Sequence, residues 1–280
     1  MEFKETKNVV TKDNKLIEAS YRLTMTEQQI VLLGIVKARE SGLTPYQLSV
    51  TPFKVDVQEF AKVYNIADTS NLYRNLKQAI QTLYNRSVKI YELIDDIIPV
   101  QGETRWITKH IYADQQGYLS MQFTPDAIKY FTRLEKEFTS YDLKQIGNFT
   151  SVYAVRLYEL LKQYQTAKYR VIQIETLRKI LQLEDKYAIY ADFLKNVINP
   201  SIEQINKYSE FEVTFKPVRD LRKIVALDFR FKIKGETKTQ GQYYRPSIAI
   251  LCQGTKMAYK GETGVKPIIQ CLLRRPPTPY

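Results

Sequence analysis

The chain of 280 residues contains one histidine, one tryptophan, two cysteines and ten glycines, and each scarcity excludes something. Zinc takes about four protein ligands, or three in catalytic sites, and His110 with the distant Cys252 and Cys271 supplies no such set. A metal-dependent nicking enzyme of the histidine-hydrophobe-histidine type needs a second histidine. Two cysteines cannot build a disulfide framework, which fits a reducing cytoplasm. No apolar run approaches the roughly 18 residues of a spanning helix, so no membrane association is expected. The N-terminal MEFKETKNVVTKDNK lacks the apolar stretch of a secretory signal. The Gly254 to Lys266 stretch has no Gly-Lys-Ser/Thr core, which excludes a phosphate-binding loop. Asp95-Asp96 reads as a solvated turn before Pro99, and His110, inside an alternating strand pattern, as a packing or surface residue. No catalytic residue, metal site or cofactor is expected.

What is present is apolar material and positive charge. A hydrophobic fraction of 44% is enough for a real core, and the length suits one large domain or two ordinary ones. The net charge of +12 is uneven. Residues 1–145 carry 19 basic and 18 acidic side chains, residues 146–235 carry 16 and 10, and residues 236–280 carry 7 and 2. A near-neutral first half joined to a basic second half places a polyanion partner on the second half.

In the first half, Thr24 and Glu27 have capping-box spacing and open a helix that reaches Glu40 before Ser41-Gly42. A short strand at Phe53-Lys54-Val55, a short helix from Val57 to Tyr64 and a longer helix follow. The longer helix carries Leu72, Leu76, Ala79, Ile80 and Leu83 at helical spacing. Residues 87–91, 104–112 and 117–123 alternate as strands, with turns expected at Pro99 and at Asp114 to Gly117. Thr124-Pro125-Asp126 then opens a linking helix to about Leu134. Helix, strand, short helix, turn, longer helix and hairpin is the order of a winged helix-turn-helix.

The second half repeats it. Ser151 to Tyr164 reads as a helix, residues 171–174 as a strand and residues 175–183 as a short helix. A turn at Glu184-Asp185-Lys186 leads to a longer helix over 187–207. Its inward stripe is Tyr187, Tyr190, Ala191, Leu194, Val197, Ile198, Ile202 and Ile205. Residues 211–215 and 225–231 alternate as strands around a polar tip from Lys216 to Lys223. The fold expected is α+β, two tandem winged-helix domains over 8–135 and 146–234, followed by a basic tail over 235–280. That tail reads as a mobile terminal extension without function in preference to a phosphate-binding arm.

Several segments carry a specific resemblance. They are Asn14-Lys15-Leu16-Ile17-Glu18-Ala19 with Leu23-Thr24-Met25-Thr26-Glu27-Gln28, and Val155-Arg156-Leu157-Tyr158-Glu159-Leu160-Leu161. Tyr190-Ala191-Asp192-Phe193-Leu194 followed by Ile198-Asn199-Pro200-Ser201-Ile202-Glu203-Gln204-Ile205-Asn206 continues the pattern. Over about residues 8–234 the chain resembles the plasmid replication initiators that bind origin repeats called iterons. The resemblance implies that the first domain also dimerises and the second reads double-stranded DNA. It further implies monomers acting on direct repeats, dimers repressing their own promoter, and recruitment of host helicase and initiator proteins.

A helix read against the major groove must offer donors and acceptors on its outward face. Opposite the apolar stripe lie Ala188, Ile189, Asp192, Lys195, Asn196 and Asn199, with Lys186 in the preceding turn. Lys195 can donate to guanine, Asn196 can pair bidentately with adenine, and Ile189 can meet thymine methyls. The same composition also suits a plain solvated face. Lys216, Arg219, Arg222 and Lys223 are candidate phosphate contacts on the wing, and Lys168 and Arg170 are expected to extend that face. On the first domain's longer helix, Arg74, Lys77, Gln78 and Gln81 point outward, and DNA contact and simple solvation are equally open. The function expected is a plasmid replication initiator that performs no chemistry. The alternative is a dimeric transcriptional repressor without an initiation role, and a tyrosine-dependent nicking enzyme is disfavoured.

Overall fold

The structure, a computed structural model, describes residues 8–94, 98–132 and 137–236. The Asp95-Asp96 turn and the tail from residue 237 lie outside the described residues. The chain opens with β1 (Val9–Asp13) and α1 (Asn14–Glu18) and continues with α2 (Met25–Glu40), α3 (Pro45–Val50) and β2 (Phe53–Lys54). Next come α4 (Val57–Val63), α5 (Leu72–Leu83), β3 (Ser87–Ile94), β4 (Ile98–Arg105), β5 (Ile107–Ala113) and β6 (Tyr118–Phe123). After α6 (Pro125–Thr132) and β7 (Phe138–Asp142), the second unit runs through α7 (Val152–Lys162), β8 (Tyr169–Gln173) and α8 (Ile174–Ile180). It ends with α9 (Tyr190–Phe193), a π-turn over Leu194–Ile198, α10 (Asn199–Tyr208), β9 (Phe211–Asp220) and β10 (Lys223–Ile233).

Both units share a three-stranded winged-helix sheet. The first sheet is ordered β2-β6-β5 and the second β8-β10-β9, so in each the strand just ahead of the helix-turn-helix pairs with the last strand of the wing. This is the architecture of two tandem winged-helix domains. The capping box at Thr24 forms, with Glu27 N donating to Thr24 Oγ1 and Thr24 N to Glu27 Oε2. Gly34 on α2 is required by packing, since a Cβ there would stand 2.6 Å from the Phe123 ring and 2.9 Å from Met121.

Three expectations in the first unit need correction. Residues 104–112 are not one strand, because the chain breaks at the fully buried Trp106 and divides them between β4 and β5. Pro99 is not in a turn but in β4, opposite Leu93. The β3–β4 pair forms its own two-stranded sheet, inserted between the longer helix and the wing. Helix α3, with its own capping box at Thr44 and Gln47, is a further element beyond those expected.

A second two-stranded sheet, β1 with β7, closes the ends of the first unit and abuts α7. Here Lys12 Nζ donates to Glu159 at 2.7 Å with both side chains fully buried, and the Tyr141 hydroxyl donates to the same oxygen at 2.5 Å. Arg156 on α7 donates to the Tyr21 hydroxyl and, at 2.7 Å, to the Ala19 carbonyl. Burial first, and then the Glu159 charge, push the Tyr141 phenol well above its usual pKa, so it stays a donor. These bonds tie the first helix of the second unit to the start of the chain.

Candidate nucleic-acid interface

In the second unit α8 and the segment from Tyr190 to Tyr208 form the helix-turn-helix, with the β9–β10 hairpin as its wing. The expected helix over 187–207 is shorter at its start and wider in its middle. Tyr187 adopts a left-handed φ of 52°, so residues 187–189 are turn and Ile189 becomes the N-cap residue. Pro200 has no N–H to give the carbonyl four residues back and its ring crowds that carbonyl. The helix accommodates it with the π-turn, where Asn199 N–H reaches Leu194 five residues back.

The inward stripe changes accordingly. Phe193, not Ala191, is the buried anchor of α9, while Val197, Ile198, Ile202 and Ile205 are buried as expected. Lys186, Ile189, Asp192, Lys195, Asn196 and Asn199 are all exposed. Asn196 Nδ2 donates to the Asp192 carbonyl at 2.8 Å. Bidentate pairing with adenine therefore requires it to exchange an intrahelical bond for a base contact.

The wing is a longer ladder than the polar-tip reading supposed. Lys216 and Arg219 lie on β9, and the turn itself is only Leu221-Arg222, between the paired Asp220 and Lys223. Lys216, Arg219, Arg222 and Lys223 are exposed. Further down the hairpin the cations are neutralised, Arg230 by Asp228 at 2.8 Å and Lys232 by Glu212 at 2.9 Å. Among the described residues, charge without an acidic partner is thus concentrated towards the tip. Burial raises the Tyr190 phenol pKa at the start of α9, while the charge of Arg219 on the wing pulls it down.

Lys168 and Arg170 do not extend this face as free cations. Lys168 pairs with Glu236 at 2.7 Å. Arg170 is mostly buried, donates to Glu18 at 2.8 Å and to the Leu160 carbonyl at 2.6 Å, and lies over the Tyr164 ring. It joins the two units instead.

Sequence comparison meets this geometry at the same places. A family model described as Initiator Replication protein, WH1, matches residues 9–162, and one described as Initiator Rep protein, WH2, matches residues 173–231. The chain belongs to the initiator replication protein family. It is 25% identical over 210 residues to a replication initiation protein of Escherichia coli, covering 73% of this chain and 64% of that protein. The PI protein of Escherichia coli is 25% identical over 217 residues, 65% of this chain and 69% of the relative. Among solved structures, the Pi initiator protein in complex with iteron DNA superposes with a TM-score of 0.60 at 24% identity. The match covers 83% of this chain and all (100%) of that one, and shows the shared fold.

On the first domain of this initiator, Arg74 and Gln78 are exposed and Gln81 is half-buried. Lys77 is already engaged, at 2.6 Å from Asp114 and 4.1 Å over the Tyr112 ring. Its hydrogen bond, followed by one from Tyr73, holds the Asp114 carboxyl below its usual pKa. No group of three or more histidine, cysteine or acidic side chains converges as a metal site among the described residues. No helix among them is long and apolar enough to cross a membrane. Arg178 on α8 donates to Lys186 O at 2.8 Å and to Tyr187 O, a role the sequence does not signal, since one arginine in a short basic helix does not stand out.

Proposed function

We propose that the chain is a sequence-specific DNA-binding initiator of plasmid replication that binds iterons, the direct repeats of an origin. The observation that carries this is the second winged helix. An exposed polar helix face adjoins a wing whose cations, unlike those at its base, have no acidic partner among the described residues. The helix reads base edges through Lys195, Asn196 and Asn199, and Lys216, Arg219, Arg222 and Lys223 hold phosphates. Residues 8–135 and 146–234 act as the two domains. The first supplies auxiliary contacts through Arg74 and Gln78 and forms a homodimer in equilibrium with the monomer, supported by its near-neutral charge and by β5 at a sheet edge. The dimer represses the chain's own promoter, and the monomer on direct repeats recruits host helicase and initiator proteins in the bacterial cytoplasm. The protein itself performs no chemistry.

The test is a mobility shift of the full chain at moderate salt. One duplex carries direct repeats sought in the DNA that flanks the coding region, and the other is a scrambled duplex of the same composition. Preference for the repeats is expected, and equal affinity would overturn the reading. Nicked circles on incubation with supercoiled origin DNA and Mg²⁺ would overturn the absence of chemistry.

A further inference from the structure

We infer that Arg178 is a positioning residue for DNA reading, fixing where the reading helix starts and how it is turned about its axis. The inference rests on the second winged helix being the reader. The turn between α8 and α9 has no strand or helix ladder to satisfy its carbonyls, and it holds Tyr187, a bulky residue, at a left-handed φ of 52°. Such a conformation persists only where surrounding contacts over-determine it. The Arg178 guanidinium supplies those contacts. Nη1 donates to Lys186 O at 2.8 Å and lies 3.4 Å from Leu183 O, while Nη2 donates to Tyr187 O and lies 3.4 Å from Ala188 O.

The same guanidinium lies 4.7 Å over the ring of Phe193, the buried anchor of α9. One planar fork therefore grips both the turn and the first turn of the reading helix. A planar guanidinium can span these carbonyls at fixed angles, and a lysine ammonium cannot reproduce that geometry. With Nη1 and Nη2 both committed to backbone carbonyls of the turn, Arg178 is expected to hold no phosphate. Its loss should misplace the helix face that carries Lys195 and Asn196 relative to the groove without removing a phosphate contact.

The test uses the full chain with Arg178→Met, which keeps an apolar stem over Phe193, and Arg178→Lys, which keeps the charge. Affinities for the repeat duplex and the scrambled duplex are measured from about 50 to 200 mM salt. In both variants the preference for the repeat is expected to fall tenfold or more, with affinity for scrambled DNA and the salt slope unchanged. A preference that persists in Arg178→Met overturns the inference. So does a slope lowered by about 1 in Arg178→Met and restored in Arg178→Lys, the signature of a phosphate contact. Global unfolding of both variants, read by circular dichroism, also counts against it, since a residue that holds only the turn leaves the core standing. If the wild-type chain itself shows no preference, the DNA-reading assignment fails, and the two failures are thereby distinguished.

Discussion

Replacing Glu159 with glutamine removes the one anion from a fully buried polar cluster. Its Oε1 accepts from Lys12 at 2.7 Å and from the Tyr141 hydroxyl at 2.5 Å, while Arg156 Nη1 stands 3.6 Å from Oε2. With the carboxylate gone, Lys12 has no anion in a site closed to water. Arg156 keeps the Ala19 carbonyl and the Tyr21 ring, 3.7 Å away. Breaking a buried pair by removing one partner costs about 3–5 kcal/mol. Lys12→Met removes the cation instead and leaves Glu159 beside Arg156 and Tyr141. Its cost should be smaller, about 1.5–3 kcal/mol, the worth of one hydrogen bond to a charged group. At about 2–4 °C per kcal/mol for a chain of this size, Glu159→Gln should lower Tm by roughly 6–20 °C and Lys12→Met by less. Thermal melts followed by circular dichroism measure both. A Glu159→Gln chain within about 1 kcal/mol of wild type, or one more stable than Lys12→Met, would refute the reasoning.

Arg222→Ala should weaken binding to repeat and scrambled DNA alike and lower the salt slope by about 1; selective loss on the repeat would make this arginine a base reader. Arg170→Ala should lower Tm because it opens the Glu18 and Leu160 contacts, with the salt slope unchanged; a slope lower by about 1 would return this residue to the DNA face. Gly34→Ala should cost about 1–3 kcal/mol in a urea titration, since the added methyl meets the Phe123 ring, and a neutral result would mean that α2 can move away.

Elements whose cause is local are legible in the amino-acid order. The cap of α2 follows from Thr24 and Glu27 three residues apart, and α5 from a 3.6-residue apolar period, because these signals act within one or two turns. The repeated order of elements, and with it the tandem winged helices, was legible for the same reason. So was the charge asymmetry, a matter of composition. Tertiary structure alone decided which charges remain available. Lys195 and Arg170 are both basic residues near the expected interface. One stays in solvent, and the other is drawn inward by Glu18, 152 positions earlier in the chain, which no local window contains. The start of the reading helix differs from the sequence expectation for a related reason. The apolar period continues through Tyr187, but carbonyls held by Arg178 from the preceding helix keep residues 187–189 in a turn. Pro200, visible in the sequence, widens the helix instead of ending it because Val197, Ile198 and Ile202 remain packed on either side. Periodicity states which residues prefer burial. Which of several compatible partners satisfies a polar group is settled only when distant segments meet.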